Sequence, residues 1–368
     1  MVTIMASGTP GAPADSGPAD LARIRTESER ALSGFIARQR GDLVAMSAEL
    51  IPCVDAITDL LTGGKRLRAA FCYWGWRACG GGDGPPIFAA AAALELLHAS
   101  ALVHDDVMDA SDTRRGQPAA HRRFAARHAA ARWRGSADRF GAGAAILIGD
   151  LLLAWTDEMI RTSGMPPEAV LRGLLVLDAM RTEVFGGQFL DLVSQASADS
   201  AVESALRVVR LKSAKYTVER PLHLGAALAG RGAAARSAFT GYGIPLGVAF
   251  QLRDDVLGVF GDPAWTGKPV TDDLREGKRT VMLAIAAERA DARQAELLEA
   301  SIGDPGLTES AAEQVKAIIT STGALDECES MIDASVKEAL AALDAAPITP
   351  QAKSALAELA IAATSRTT

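Results

Sequence analysis

The residues with the clearest chemical potential are three acids within five positions, Asp105, Asp106 and Asp109. They end a long apolar segment whose pattern is typical of a helix. Because Asp105 and Asp109 are four residues apart, their carboxylates would share one face of that helix. Such acids repel each other unless a cation neutralises them, and oxygen ligands without Cys or His partners suit magnesium. A solvated helix end is the structural alternative to a metal site.

A second acidic pair, Asp254 and Asp255, lies far along the chain and again follows an apolar helical stretch, residues 247–252. Two such helices facing each other would hold divalent cations between their acidic ends. Either pair alone is weak evidence for a metal site, whereas two pairs in matching contexts favour one.

Five basic groups, most of them beside glycine, accompany these acids. Glycine lets the backbone approach an anion closely, and Lys and Arg supply charge and hydrogen-bond donors. A single basic group is more often solvated surface, but in a chain with a net charge of −7 this grouping indicates a phosphate site. The pattern predicts a diphosphate held by metal on one side and by Lys and Arg on the other. The groups are residues 63–68, 112–116, 212–213, 267–269 and 277–280.

The elements that must position these groups are helices. Alanine is very common, alternating β-branched residues are hard to find, and apolar residues recur three and four positions apart. We therefore expect one all-α domain over residues 19–368, preceded by a flexible tail at residues 1–18. Helical patterns cover residues 20–50, 87–107, 144–162, 167–193, 201–229, 234–260, 281–300 and 309–320.

Composition excludes several classes of protein. Apolar residues make up 49% and charged residues 23%, as in ordinary globular proteins. An isoelectric point near 5.4 argues against a nucleic-acid partner. The apolar stretches are interrupted by charged residues, so we expect no membrane span. The four cysteines match neither a disulfide framework nor a zinc site, which favours free thiols and a cytoplasmic location.

Taken in order, these motifs resemble those of the polyprenyl synthetase family, the all-trans isoprenyl diphosphate synthases. The similarity runs from about Ala31 to the C-terminus and is strongest to actinobacterial geranylgeranyl diphosphate synthases. It is carried by Gly63-Gly64-Lys65-Arg66-Leu67-Arg68, Glu95-Leu96-Leu97-His98, His104-Asp105-Asp106-Val107-Met108-Asp109, Arg114-Arg115-Gly116, Gly187-Gln188, Lys212-Ser213, Phe250-Gln251, Asp254-Asp255, Gly267-Lys268-Pro269, Asp272-Asp273-Leu274 and Gly277-Lys278.

The resemblance implies a helical bundle around a deep central cavity, usually a homodimer. The implied reaction condenses isopentenyl diphosphate with an allylic diphosphate (dimethylallyl, geranyl or farnesyl) with about three magnesium ions. Asp105, Asp109 and Asp254 would be the direct metal ligands. Asp106, Asp255, Lys212 and Lys268 would complete the catalytic set. The isopentenyl diphosphate site would comprise Lys65, Arg68, His98 and Arg115, and the allylic site Arg114, Lys212, Ser213, Gln251, Lys268 and Lys278.

Three positions depart from the family pattern. Gly258 replaces the third aspartate of the second acidic motif, one turn after Asp254. Ala69 replaces a proline, and Ser213 replaces a threonine while keeping the hydroxyl. The third aspartate is the least direct metal ligand in the family, so we expect activity to survive its loss.

Other functions stay open on sequence grounds. A class I terpene cyclase would share the acidic motifs and magnesium but not a second diphosphate pocket, for which Lys65, Arg68 and Arg115 argue. A non-catalytic partner subunit would tend to lose acidic ligands, and here only position 258 is lost. Among synthases, farnesyl diphosphate and products of twenty-five or more carbons compete with geranylgeranyl diphosphate.

Product length generates the first prediction. Ser100 and Ala101 precede Asp105 on the same helix and would lie roughly 6 to 8 Å deeper in the cavity. Both are small, so a chain anchored at Asp105 would pass them and reach twenty carbons. Ser100→Phe should fill this space and shorten the main product to fifteen carbons, as chromatography of the products would show. An unchanged product would mean that the chain does not pass Ser100.

Overall fold

The computed structural model describes residues 18–231, 233–261 and 272–364, and these residues are almost entirely helical. The predicted all-α fold is confirmed. The predicted tail, apart from Pro18, and Lys268 lie outside the described residues, as does residue 232.

The first half of the chain forms seven helices and one small hairpin. A 3₁₀ turn at Ala48–Leu50 separates the first two helices, so the predicted helix over residues 20–50 ends early, at Met46. The elements are α1 (Pro18–Met46), α2 (Ile51–Leu61), α3 (Leu67–Ala78), α4 (Pro85–Met108), β1 (Thr113–Arg114), β2 (Gln117–Pro118), α5 (Ala120–Ala130), α6 (Ala137–Arg161) and α7 (Pro167–Ala196).

Within its described residues, the second half adds nine helices and a π-helical segment at Val209–Glu219. They are α8 (Val202–Val208), α9 (Arg220–Leu228), α10 (Ala233–Phe260), α11 (Asp272–Arg275), α12 (Val281–Arg289), α13 (Ala292–Ser301), α14 (Glu309–Ser321), α15 (Ala324–Ala345) and α16 (Pro350–Thr364). One predicted helix, residues 281–300, is split, because Asp291 and Gln294 form a capping box that starts α13.

The π-helical segment departs from the α-helix predicted over residues 201–229. A π-helix is wider than an α-helix and is used at functional sites. The neighbouring helices have glycine where the π-helical segment approaches them most closely. A Cβ on Gly187 of α7 would lie 2.6 Å from the Lys212 backbone nitrogen, and one on Gly247 of α10 would lie 2.7 Å from the Ala214 oxygen. These close approaches set the position of Lys212.

Two apolar clusters form the interior. The larger one surrounds α3, α4 and α9, and the smaller one lies among α8 and α12 to α15. Helix α10 belongs to both, with Phe239, Tyr242 and Leu246 in the larger and Leu252 and Val256 in the smaller. The two clusters are therefore joined by one continuous helix.

Two helices, α4 and α6, are long and apolar enough to cross a membrane when judged by length and composition alone. The most apolar stretch of α4 is 72% buried inside the protein, as in a core helix, and that of α6 is 39% buried. Because core helices pass the same test, the finding is weak evidence for a span, and the expected absence of one stays a prediction.

The crossing of α3 and α9 generates a stability prediction. A Cβ on Gly225 would overlap the Cys72 carbonyl oxygen and lie 2.8 Å from the Gly75 carbonyl carbon. Gly225→Ala should therefore lower the free energy of unfolding by about 1–3 kcal/mol.

Urea denaturation measures the effect. Gly34→Ala is the matched control, because nothing lies within 4 Å of a Cβ on Gly34 in α1. That variant should gain about 0.5–1 kcal/mol through reduced backbone freedom. Equal effects of the two substitutions would show that the helix crossing is not tight.

Candidate active site

The first acidic motif lies at the C-terminal end of α4. The Asp109 amide donates to the Asp105 carbonyl oxygen at 2.8 Å, which closes the last turn and stacks the two residues. The Asp109 side chain is fully buried, and neither of its carboxylate oxygens has a hydrogen-bond partner. Burial and the nearby charge of Asp105 raise the pKa of Asp109 to about 7.

Asp105 is balanced by a lysine from the π-helical segment. Lys212 Nζ lies 3.0 Å from Asp105 and 2.7 Å from Asp191 of α7. Burial opposes ionisation of Asp105, but the Lys212 charge and hydrogen bond, together with the charges of Lys278 and Arg114, outweigh it and hold the pKa of Asp105 below its ordinary value. The same acids keep the pKa of the buried Lys212 above its ordinary value.

The middle acid has a different role. Asp106 is almost fully buried and accepts two hydrogen bonds from the Arg114 guanidinium. Arg114 reaches it from the β1–β2 hairpin, whose turn residues Arg115 and Gly116 both have positive φ (53° and 72°). Asp106 therefore anchors the hairpin that carries Arg114 and Arg115.

The second acidic motif lies near the C-terminal end of α10. Ser213 donates to the Gln251 side-chain oxygen, and Gln251 donates to Asp255 at 2.8 Å. Asp255 is buried, which raises its pKa to about 8 despite this hydrogen bond. Asp254, by contrast, is exposed on the helix surface.

Lys278 lies between Asp109 of the first motif and two acids of the segment that begins with α11. Its ammonium lies 2.6 Å from Glu276, 3.3 Å from Asp273 and 3.7 Å from Asp109. Burial disfavours the charge, but these acids outweigh it and raise the pKa of Lys278 well above its ordinary value. Ser111 donates to Glu276 at 2.6 Å, so the segment after α11 is tied to the end of α4.

A separate basic site lies earlier on α4. The Arg68 guanidinium stacks 4.3 Å from the centre of the Tyr216 ring and donates to Thr217. His98 Nδ1 lies 2.9 Å from the Tyr216 hydroxyl. Burial and then the charge of Arg68 lower the pKa of His98 well below its ordinary value, so His98 is neutral at pH 7.

Arg115 joins this basic site from the hairpin. Its guanidinium lies 3.6 Å from the Cβ position of Gly64 and donates to the carbonyl oxygens of Leu60 and Thr62. Burial and then the charge of Arg66 lower the pKa of Arg115. Lys65, which follows Gly64 in sequence, is exposed. The concentration of positive charge fits an anionic ligand.

The residues present fit a divalent cation shared with a ligand. No three His, Cys, Asp or Glu side chains within residues 18–231, 233–261 and 272–364 converge into a ready-made metal site. Asp109, however, keeps two buried carboxylate oxygens without a hydrogen-bond partner, which is the state that a hard cation would satisfy. Magnesium uses one or two carboxylates and completes its shell with water and phosphate oxygens.

Some residues of the site could not be found from sequence. Asp191, Tyr216 and Glu276 lie in no acidic or basic group, and only their contacts reveal them. Of the two residues predicted to set product length, Ser100 is buried with an unpartnered hydroxyl and Ala101 is partly buried.

These features define a class of protein, an all-α prenyltransferase. The sequence model of polyprenyl synthetases matches residues 52–320, and the chain belongs to the polyprenyl synthetase family.

Several relatives are similar over most of their length. A crystal structure of geranylgeranyl pyrophosphate synthase from Corynebacterium glutamicum, complexed with isoprenyl diphosphate and magnesium, is 39% identical with a TM-score of 0.91 and covers 95% of this chain and 100% of that one. Geranylgeranyl diphosphate synthase of Mycobacterium tuberculosis is 32% identical over 95% of both chains. Geranylfarnesyl diphosphate synthase of Aeropyrum pernix is 36% identical over 73% of this chain and 79% of its own.

Asp109 and Asp106 should affect stability in opposite directions, because the Asp109 oxygens accept no hydrogen bond and Asp106 accepts two from Arg114. In metal-free protein at pH 8, Asp109→Asn should raise the free energy of unfolding by about 1–3 kcal/mol, because it removes a buried charge whose oxygens accept no hydrogen bond. Asp106→Asn should lower it by about 3–5 kcal/mol, because it removes the charged carboxylate that accepts two hydrogen bonds from the buried Arg114.

The effect of Asp109 should depend on pH. Its pKa is raised by folding from 3.8 to about 7, so the folded protein loses stability as the pH rises through this range. The gain from Asp109→Asn should therefore shrink towards pH 4. Urea denaturation in excess chelator measures both variants. A loss of stability in both would mean that Asp109 is satisfied in the metal-free protein.

Proposed function

We propose that this protein catalyses the magnesium-dependent head-to-tail condensation of isopentenyl diphosphate with an allylic diphosphate, with geranylgeranyl diphosphate as the main product. The observation that carries the proposal is the presence of two separate groups of charged residues along α4. One surrounds Asp105 and Asp109 and includes Lys212 and Lys278. The other surrounds His98. A terpene cyclase has no need of the second.

The allylic diphosphate belongs at the acidic motifs. Asp105, Asp109 and Asp254 would hold about three magnesium ions, and these ions would supply positive charge to the departing diphosphate. Lys212 and Lys278 bring permanent positive charge to the place where the leaving-group charge develops. Arg114, fixed by Asp106, and Lys268 act on the same group. Ser213 and Gln251 position Asp255, because Ser213 donates a hydrogen bond to Gln251 and Gln251 donates one to Asp255.

Isopentenyl diphosphate belongs at the basic site. Lys65, Arg68 and Arg115 hold its diphosphate, and His98, being neutral, hydrogen-bonds to it rather than acting as an acid. The double bond of isopentenyl diphosphate attacks the allylic carbon as the carbon–oxygen bond breaks. The released diphosphate takes the proton that is then lost, so no side chain needs to act as a base. Apolar residues of α4 below the acidic motif, such as Leu96 and Leu97, exclude water.

Two homologous products compete. The small residues Ser100 and Ala101 support a twenty-carbon product, in agreement with the names of the Corynebacterium and Mycobacterium relatives. The name of the Aeropyrum relative favours twenty-five carbons as the chief alternative.

We also propose a cytoplasmic homodimer with residues 19–368 as one domain. The support for a dimer is an apolar face on α6 and α7 that the described chain leaves uncovered. Its most exposed members are Leu147, Leu171, Leu175 and Phe189, each at least 66% exposed. The four free cysteines support a reducing compartment.

The metal requirement generates a prediction. Asp105→Ala and Asp254→Ala should each reduce condensation by orders of magnitude, while circular dichroism shows an intact fold. Excess chelator should abolish the activity of the natural chain, and added magnesium should restore it. Full activity in chelator would reject the role of metal.

The separation of the two anion sites generates another prediction. Arg68→Ala should raise the KM for isopentenyl diphosphate by about ten- to a hundredfold, because a charged hydrogen bond to phosphate is worth about 1.5–3 kcal/mol. The KM for the allylic substrate should change little, since Arg68 contacts Tyr216 and Thr217 and not the acidic motifs. Steady-state kinetics measures both constants. An equal rise in both would reject two separate sites.

A further inference from the structure

Three residues of α7 lie one turn apart on the face that meets the π-helical segment. Glu183, Gly187 and Asp191 are spaced by four positions, which places them on one side of the helix. Gly187 allows the backbone at Lys212 to approach, and Asp191 accepts a hydrogen bond from the Lys212 ammonium at 2.7 Å. Glu183 lies outside the acidic and basic groups of the sequence, and the proposed reaction gives it no role.

The Glu183 carboxylate accepts hydrogen bonds from two cations. Lys215 of the π-helical segment donates to Oε1 at 2.6 Å. Arg220, the first residue of α9, donates to Oε2 from Nε at 2.6 Å and to Oε1 from Nη2 at 2.5 Å. Burial opposes ionisation of Glu183, but the hydrogen bonds and charges of Arg220 and Lys215 outweigh it and hold the pKa of Glu183 below its ordinary value. The three side chains are only 19–24% exposed, so water screens these ion pairs less than pairs on an open surface.

Glu183 therefore holds the π-helical segment at two points. Lys215 lies within the segment, and Arg220 directly follows its last residue, Glu219. On the side of α10, a Cβ on Gly243 would lie 2.8 Å from the Glu219 Cα, so this end of the segment is closely packed as well. Because a π-helix bonds each residue to the fifth residue along and not to the fourth, its side chains would change direction if the segment relaxed to an α-helix.

Lys215 lies between the two residues that the segment contributes to the site. Lys212, three positions earlier, reaches Asp105 of the acidic motif at 3.0 Å. Tyr216, the next residue, has its hydroxyl 2.9 Å from His98 Nδ1 in the basic site. A small displacement of the segment would therefore move a charge of the acidic site and the ring of the basic site together.

We propose that Glu183 is a positioning residue: through Lys215 and Arg220 it fixes the π-helical segment against α7, and so sets Lys212 at the acidic motif and Tyr216 at the basic site. The inference rests on the proposed function. Because one carboxylate positions residues of both sites, its loss impairs the use of both substrates.

The test compares Glu183→Gln with Asp157→Asn in the purified full chain. Asp157 of α6 pairs with Arg181 of α7 at 2.8 Å, and these side chains are 25% and 18% exposed, so the control removes a similar ion pair from the same helix. Glu183→Gln should raise the KM of both substrates and lower kcat by up to about a hundredfold, since a misplacement of about 1 Å can cost that much. Asp157→Asn should leave kcat unchanged, although urea denaturation shows a loss of stability in both variants.

Hydrogen exchange, followed by mass spectrometry, reports the position of the segment without any substrate. Backbone amides of residues 209–219 should exchange faster in Glu183→Gln than in the natural chain, because the segment has lost its contacts with α7. The same amides should exchange at the natural rate in Asp157→Asn.

A double variant traces the route of the effect. Lys215→Met should also lower kcat, and Lys215→Met combined with Glu183→Gln should cost no more than Glu183→Gln alone, because the two residues act through one contact. Unchanged kcat in Glu183→Gln, an equal fall in Asp157→Asn, unchanged exchange at residues 209–219 or additive losses in the double variant would each overturn the inference. If the natural chain still forms product, these results leave the proposed function standing. A natural chain that forms no product with any primer would overturn the proposed function.

Discussion

The structure depends on the balance between buried carboxylates and the two lysines that reach them. Asp105 and Asp109 lie on one face at the end of an apolar helix, where burial makes their charges costly. Lys212 comes from the π-helical segment and Lys278 from the segment after α11. The glycines that let the π-helical segment approach α7 and α10, and the Ser111–Glu276 hydrogen bond, serve this one balance. The lysine charges keep Asp105 ionised, whereas both carboxylate oxygens of Asp109 are left without a hydrogen-bond partner.

Helix α4 also relates the acidic site to the basic one. His98 precedes Asp105 by two turns, about 10 Å along the axis. Tyr216 of the π-helical segment contacts both Arg68 of α3 and His98. Helix α9 follows the π-helical segment directly and crosses α3 closely, which keeps the π-helical segment next to α3. Two anions bound at these sites would lie side by side along one rigid helix. Condensation of two diphosphate substrates needs such an arrangement.

Sequence reasoning found the groups that are visible as local patterns. The acid pairs, the glycine-flanked basic groups and the long apolar helices could be predicted because neighbours in sequence are neighbours on a helix. The predicted segments do not include helices α2, α3, α5, α11, α15 and α16. The break before α13 does have a local sequence signal, because Asp291 is followed three residues later by Gln294. The roles of Asp191 and Tyr216 depend on contacts between distant segments, which no periodicity reveals.

In the proposed reaction, the two sites hold an allylic diphosphate and isopentenyl diphosphate so that their carbon chains are joined into one longer diphosphate. Incubating the purified chain with isopentenyl diphosphate, magnesium and each allylic primer in turn, and resolving the products by chromatography, tests it most directly. The account predicts a linear twenty-carbon diphosphate whose formation requires both substrates. A cyclic hydrocarbon formed from an allylic diphosphate alone, or no product from any primer, would contradict it.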